Sequence, residues 1–246
     1  MIKTKQAFEK GKAFIPFITA GDPNLTVTEE LILEMAKAGA DLIELGIPFS
    51  DPVAEGLVIQ KADERALLAG TTTDKIFDMI AQVRKKTNVP FSFMTYLNPI
   101  FTYGSERFVA RCGELGVCAL VVPDMPLEER KELQPYCGRY GVDLASPVAP
   151  APEERIQAVA QAAEGFLYCV FPNDETIACA KAAGSVPCLS VFDAISPEEA
   201  GEAARKADGI VVESAVVEII GRYGQECVPR AAEYVRKMAR AIHSAE

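Results

Sequence analysis

The sequence predicts a single α/β domain over residues 1–246, a (β/α)₈ TIM barrel. Three observations carry this. Short runs rich in Val, Ile, Leu and Phe alternate with longer segments of helical periodicity, the mark of repeated parallel βα units. There are eight such runs, and the first begins almost at the N-terminus. The length of 246 residues suits one barrel rather than two domains.

In chain order the strand candidates are Phe14–Ala20, Asp41–Ile47, Phe91–Tyr96, Ala119–Pro123, Asp143–Pro147, Phe166–Phe171, Pro187–Phe192 and Gly209–Glu213. Each is a short β-branched or aromatic run bounded by turn residues. Between them lie helix starts. Thr26-Val27-Thr28-Glu29 opens an apolar run with Leu31, Leu33 and Met35, and Ser196-Pro197-Glu198-Glu199 supplies an N-cap, a first-turn proline and acidic residues beside the helix dipole. The connection after the sixth strand is short, with room only for Pro172-Asn173-Asp174-Glu175 and a small Ala-rich helix through Ala183.

Composition bounds the function. Hydrophobic residues at 49% and charged residues at 24% belong to a folded globular chain. The net charge of -10 repels nucleic acid and anionic membranes, and the lysines at 3, 5, 10, 12, 85 and 86 are too scattered to form a basic patch. Neither is expected as a partner. The seven cysteines form no CxxC pair, so no disulfide framework or zinc site is expected. No segment reads as a signal peptide or a membrane span, and a cytoplasmic location follows as the expectation.

In such a barrel the chemistry sits at the carboxyl ends of the strands. Glu44 lies among apolar residues on the second strand, where desolvation raises a carboxyl pKa towards the range useful for a general acid. Glu55, in the loop leaving that strand, supplies a second carboxylate. Two carboxylates in unlike surroundings divide acid and base roles.

Four blocks then carry a resemblance: PFITAGDPN at 16–24, ELGIPFSDPVAEG at 44–56, MTYLNPIFTYG at 94–104 and VVPDMPLEE at 121–129. In this order and at these barrel positions they resemble the tryptophan synthase alpha subunit family, and the likeness spans nearly the whole chain. The resemblance implies retro-aldol cleavage of indole-3-glycerol phosphate to indole and glyceraldehyde 3-phosphate, a carbon–carbon lyase reaction without metal or organic cofactor. It also implies a partner, a beta-type subunit that uses pyridoxal phosphate. Glu44 matches the catalytic glutamate that protonates the indole ring at C3, and Glu55 falls where the family places an aspartate facing the indole N–H. Phe17, Thr19, Tyr96 and Tyr168 match residues of the indole pocket; Asp51, Pro52, Asn98 and Pro126 match the face turned to the beta subunit.

The sequence departs from the family where phosphate is held. A Gly-Phe-Gly-Ile-Ser run after strand seven is here Val191-Phe192-Asp193-Ala194-Ile195, and a Gly-Ser pair after strand eight is Glu213-Ser214. The family's mobile lid after strand six, with its Gly-Val-Thr-Gly motif, has no counterpart. Glycine backbone N–H groups at a helix N-terminus admit an anion closely, whereas a carboxylate about 5 Å from a phosphate charge repels it by roughly 3 kcal/mol at an effective dielectric near 20. Asp193, Glu213 and Ser214 are therefore expected to form a tail pocket for something other than phosphate.

Several readings stay open on the sequence: a lyase with an altered substrate tail and altered or weakened activity, a conventional alpha subunit with a rebuilt phosphate site, or a catalytically poor barrel that binds and regulates a beta-type partner. A metal held by Glu44, Asp193 and Glu213 is a fourth. With His243 the one histidine, a site of several imidazoles is excluded, and no metal is expected.

Overall fold

Nine strands, each parallel to its neighbours, form the ring at the centre of the computed structural model, which describes residues 3–193 and 195–245. They are β1 (Ala13–Thr19), β2 (Ile43–Gly46), β3 (Phe91–Met94), β4 (Val117–Val121), β5 (Asp143–Leu144), β6 (Ser146–Val148), β7 (Leu167–Cys169), β8 (Cys188–Phe192) and β9 (Gly209–Val212). Spatial order runs β5-β4-β3-β2-β1-β9-β8-β7-β6, so the first and last strands are neighbours.

Nine strands arise from eight staves because the fifth changes partner midway. Its first half pairs with β4 and its second half with β7. At the junction the Ala145 N–H still donates to the Leu120 carbonyl at 2.9 Å, and the Ser146 N–H donates to that of Phe166 at 3.3 Å. The predicted strand Asp143–Pro147 is thus one stave in two ladders. Buried Arg130 clamps both halves, donating to the Leu144 carbonyl at 2.8 Å and to Ser146 Oγ at 2.5 Å.

Strand periodicity divides the core in two. Ile15, Phe17, Met94, Val121, Phe166, Tyr168, Leu189 and Val211 fill the barrel, while Phe14, Ile18, Ile43, Leu45, Phe93, Leu120 and Ile210 pack outwards beneath the helices. Glu44 takes an inward position, in register with Phe17 on one side and Ser92 on the other. Gly46, two residues on, must lack a side chain because a Cβ there would lie 2.5 Å from the Phe17 ring.

The helix Leu25–Ala38 begins one residue before Thr26, because Asn24 serves as the cap and accepts the Val27 N–H at 3.0 Å. The helix Pro197–Ala204 carries the Ser196–Glu199 capping box. After β7 only Val170–Asn173 precede the next helix, Asp174–Ala183, which Asn173 caps by accepting the Thr176 N–H at 2.8 Å. Phe171 makes this abrupt turn with φ of 47° and is 78% exposed, a left-handed conformation that costs about 1–3 kcal/mol in a non-glycine residue. Ala194, within the predicted loop after strand seven, lies outside the described residues. Among the described residues no helix is long and apolar enough to cross a membrane.

Candidate active site

β2, β3 and β7, and the residue that follows β9, each aim one polar side chain at the barrel interior or its mouth. Glu44 is fully buried. Ser92 Oγ donates to its Oε1 at 3.1 Å, and the Tyr168 hydroxyl lies 2.7 Å from its Oε2. The same hydroxyl lies 2.8 Å from Glu213 Oε1. Tyr168 itself is buried, with its ring 6.3 Å from that of Phe166. Burial pushes the Glu44 carboxyl up to about 8, with the neighbouring Glu213 charge adding to the rise against the hydrogen bonds from Tyr168 and Ser92. Burial likewise lifts Glu213 to about 7, helped by Asp193. At neutral pH Glu44 therefore holds a proton, as a general acid must.

A cavity of about 200 Å³ opens at the carboxyl ends of the strands, lined by Ala54, Met94, Val121, Pro123, Pro147, Tyr168, Val170, Phe171, Val191, Asp193 and Glu213. Its walls are mostly apolar, its charged lining residues are both acidic, and Glu44 lies beneath it, linked to it by Tyr168.

A second carboxyl pair occupies the rim between β1 and the helix Leu57–Leu68. Asp63, buried on that helix, accepts from Thr19 Oγ1 at 3.4 Å and from the Phe49 N–H at 3.3 Å. Burial raises Glu55, and the charge and hydrogen bonding of Asp63 raise it further; Asp63 is itself raised by burial. Glu55 Oε2 is covered and has no hydrogen-bond partner among the described residues. Tyr96 positions this loop by accepting the Ala54 N–H at 2.9 Å, with its ring 5.3 Å from that of Phe49.

The helix Ser214–Tyr223 begins at the opposite wall. The Ser214 and Ala215 N–H groups, which in an open helix N-terminus would face an anion, both donate to the main-chain carbonyl of Asp193, at 2.6 and 3.1 Å. Ser214 Oγ donates to Asp193 Oδ1 at 3.3 Å. Asp193 is exposed and its side chain folds over the helix start, whereas Glu213 turns inward to Tyr168.

The sequence matches the family described as tryptophan synthase alpha chain over residues 3–243. It is 40% identical to the tryptophan synthase alpha chain of Lacticaseibacillus casei across the whole chain and 97% of that protein, and 41% identical to that of Alkaliphilus metalliredigens across 92% of this chain and 91% of the relative. The chain belongs to the tryptophan synthase alpha chain family. Crystal structures agree. The alpha subunit of Legionella pneumophila strain Paris superposes with a TM-score of 0.92 at 33% identity, covering 98% of both chains. The tryptophan synthase complex of Pyrococcus furiosus superposes at 0.88 and 32%, covering 93% of this chain and 98% of that one.

Tryptophan synthase alpha chains are carbon–carbon lyases of tryptophan biosynthesis, and this chain has their barrel. Of the positions matched to the indole pocket, Phe17, Thr19, Tyr96 and Tyr168 are all buried at the barrel interior or rim, with Tyr168 lining the cavity. Asp51, Asn98 and Pro126 are exposed and Pro52 is half-buried. Two site residues escaped sequence reasoning. Asp63 lies on the buried stripe Ile59, Ala62, Asp63, Ala66, whose i, i+3, i+4, i+7 spacing marks an aspartate on an apolar face. Ser92 is signalled only by its register with Glu44.

Proposed function

We propose that this alpha-chain lyase breaks the bond between an indole ring and a hydroxylated carbon, with Glu44 as the acid, and that its substrate tail is not gripped as a phosphate. The carrying observation is the carboxyl of Glu44, fully covered and protonated at neutral pH beneath an apolar cavity. Protonation at ring C3 turns the adjoining C–C bond into a breakable one. Its electron pair returns to the ring as indole leaves, while the hydroxyl loses its proton and becomes a carbonyl. Delivery requires the Glu44 carboxyl to leave its Tyr168 bond and turn to the cavity. Glu55, beside Asp63, receives the indole N–H.

Support for the changed tail comes from three directions. The Ser214 and Ala215 N–H groups, two of those that would hold an oxyanion, are taken by the Asp193 carbonyl, Asp193 and Glu213 are acidic, and the connection after β7 is too short for a lid. The alignment to the L. casei protein spans 259 positions against the 246 residues of this chain, which is 13 more and in keeping with a shortened loop. Without a lid, water reaches the cavity freely and the site is less ordered, so turnover is slower than a closing barrel would allow.

The exposed Asp51, Asn98 and Pro126, with half-buried Pro52, offer the surface for a beta-type, pyridoxal-phosphate-dependent partner. That P. furiosus tryptophan synthase is a complex supports this partner. The seven free cysteines favour the reducing cytoplasm.

Indole release from indole-3-glycerol phosphate and from its dephosphorylated form, by the native chain and by Glu44→Gln, tests the acid. Loss of at least about 100-fold in E44Q is expected; equal turnover by E44Q rejects Glu44 as the acid.

A further inference from the structure

The Tyr168 hydroxyl touches two carboxyl groups but owns one proton. It lies 2.7 Å from Glu44 Oε2 and 2.8 Å from Glu213 Oε1, both hydrogen-bond distances between oxygens. A hydroxyl donates once, so the second contact needs a proton from the other carboxyl. The three groups therefore hold at least two protons, and two ionised carboxylates cannot both be satisfied. One carboxyl is an acid and the other a base, with a tyrosine between them that accepts from one as it donates to the other.

The two carboxyls also differ in reach. Glu44 is sealed beneath the cavity, while Glu213 lines it. The retro-aldol reaction needs a proton delivered to the ring and another removed from the hydroxyl of the departing carbon. We propose that Glu213 is the base of this site, taking the hydroxyl proton as the C–C bond breaks, and that Tyr168 then returns a proton to Glu44. This rests on the reading of Glu44 as the ring acid.

The protons balance. Glu44 gives one to ring C3 and becomes a carboxylate; Glu213 takes one from the hydroxyl as the carbonyl forms. Tyr168 then passes its proton to Glu44 while accepting the one on Glu213. The pair returns to its starting state with no net proton gained or lost and no co-reactant. Every ionisable group facing Glu213 agrees with the assignment: Glu44 through Tyr168, Asp193 at the mouth and Glu55 across the rim are all acidic or neutral. No cation fixes Glu213 as a permanent carboxylate among its described neighbours, so it can both take and release a proton. Burial, with Asp193 adding to it, raises Glu213 to about 7, and burial, with the Glu213 charge adding to it, raises Glu44 to about 8, so each carboxyl can exchange a proton near neutral pH.

The test uses the full chain with whichever of indole-3-glycerol phosphate and its dephosphorylated form the native protein cleaves faster. In Glu213→Gln, kcat falls about 100-fold or more with KM within threefold, the rise of rate with pH through about 7 disappears, and Glu213→Asp restores part of kcat. The free protein gives a readout independent of turnover: in ¹³C-carboxyl NMR, E213Q moves the Glu44 titration to lower pH and Tyr168→Phe shifts it as well. If the native chain cleaves and E213Q keeps kcat within twofold, or if neither substitution moves the Glu44 titration, Glu213 is not the base and the lyase reading stands. If the native chain cleaves neither compound, the lyase reading falls and takes the base with it.

Discussion

The main-chain carbonyl of Asp193 accepts the Ser214 N–H at 2.6 Å and the Ala215 N–H at 3.1 Å, so the first two N–H groups of the helix Ser214–Tyr223 are taken by the protein's own backbone. The Asp193 carboxylate adds a negative charge at the same place. Asp193→Asn removes the charge and keeps the shape. Because Asp193 is exposed and partly screened, the gain for a phosphorylated substrate is about tenfold in kcat/KM relative to the dephosphorylated one. Steady-state kinetics on both compounds measure it, and an unchanged ratio places the carboxylate away from the tail.

Glu213 has a consequence for stability. Its carboxyl is raised from 4.5 to about 7 in the folded chain, chiefly by burial. Between those values the folded state keeps a proton that the unfolded state has lost, so the stability this group contributes is fully present below about 4.5 and declines as pH rises through about 7. E213Q removes the titration. It should be more stable than the native chain at pH 8 by on the order of 3 kcal/mol, roughly 5–10 °C in Tm, with little difference at pH 4.5. Thermal melts at both pH values decide, and an equal gain at the two would point to packing instead.

On the proposed assignment of Glu55 to the indole N–H, Asp63 acts on the ring pocket through Glu55. The Asp63 charge helps hold the Glu55 carboxyl above its ordinary range, and only the ionised form accepts an indole N–H well. Indole affinity in the native chain therefore rises with pH, and Asp63→Asn moves that rise to lower pH. The chain contains no tryptophan, so indole fluorescence reports binding without protein background. Binding independent of pH in both proteins contradicts the role of Glu55.

The cysteines predict a simple count. Six of the seven are buried and Cys179 is partly exposed. Burial holds the thiols of Cys118, Cys137 and Cys227 up at about 11, 12 and 11, where little thiolate exists at neutral pH. A thiol reagent at pH 8 should modify one cysteine quickly, Cys179, and the others only as the chain unfolds; mass spectrometry of the labelled peptides identifies it.

How much of this the sequence carried depends on the distance over which each feature is decided. The staves were legible because β-branched runs and helix caps such as Ser196 are local signals. The divided fifth stave was not, since Ala145 changes partner only because the ring must close between β4 and β7. Glu44 stood out as a carboxylate in an apolar strand. Glu213 could be read only as an acid where the family has glycine; its bond to Tyr168 joins residues 45 apart in sequence. Asp193 drew notice for its charge, while its structural work is done largely by a main-chain carbonyl, which no side-chain pattern reveals.

On the proposed function a retained ring acid faces a wall no longer built for phosphate. The most direct measurement of this is the ratio of kcat/KM for dephosphorylated over phosphorylated indole-3-glycerol with the purified native chain. A ratio at or above one is predicted. Strong preference for the phosphorylated compound, with an oxyanion seated against Ser214 in a crystal of the complex, contradicts it.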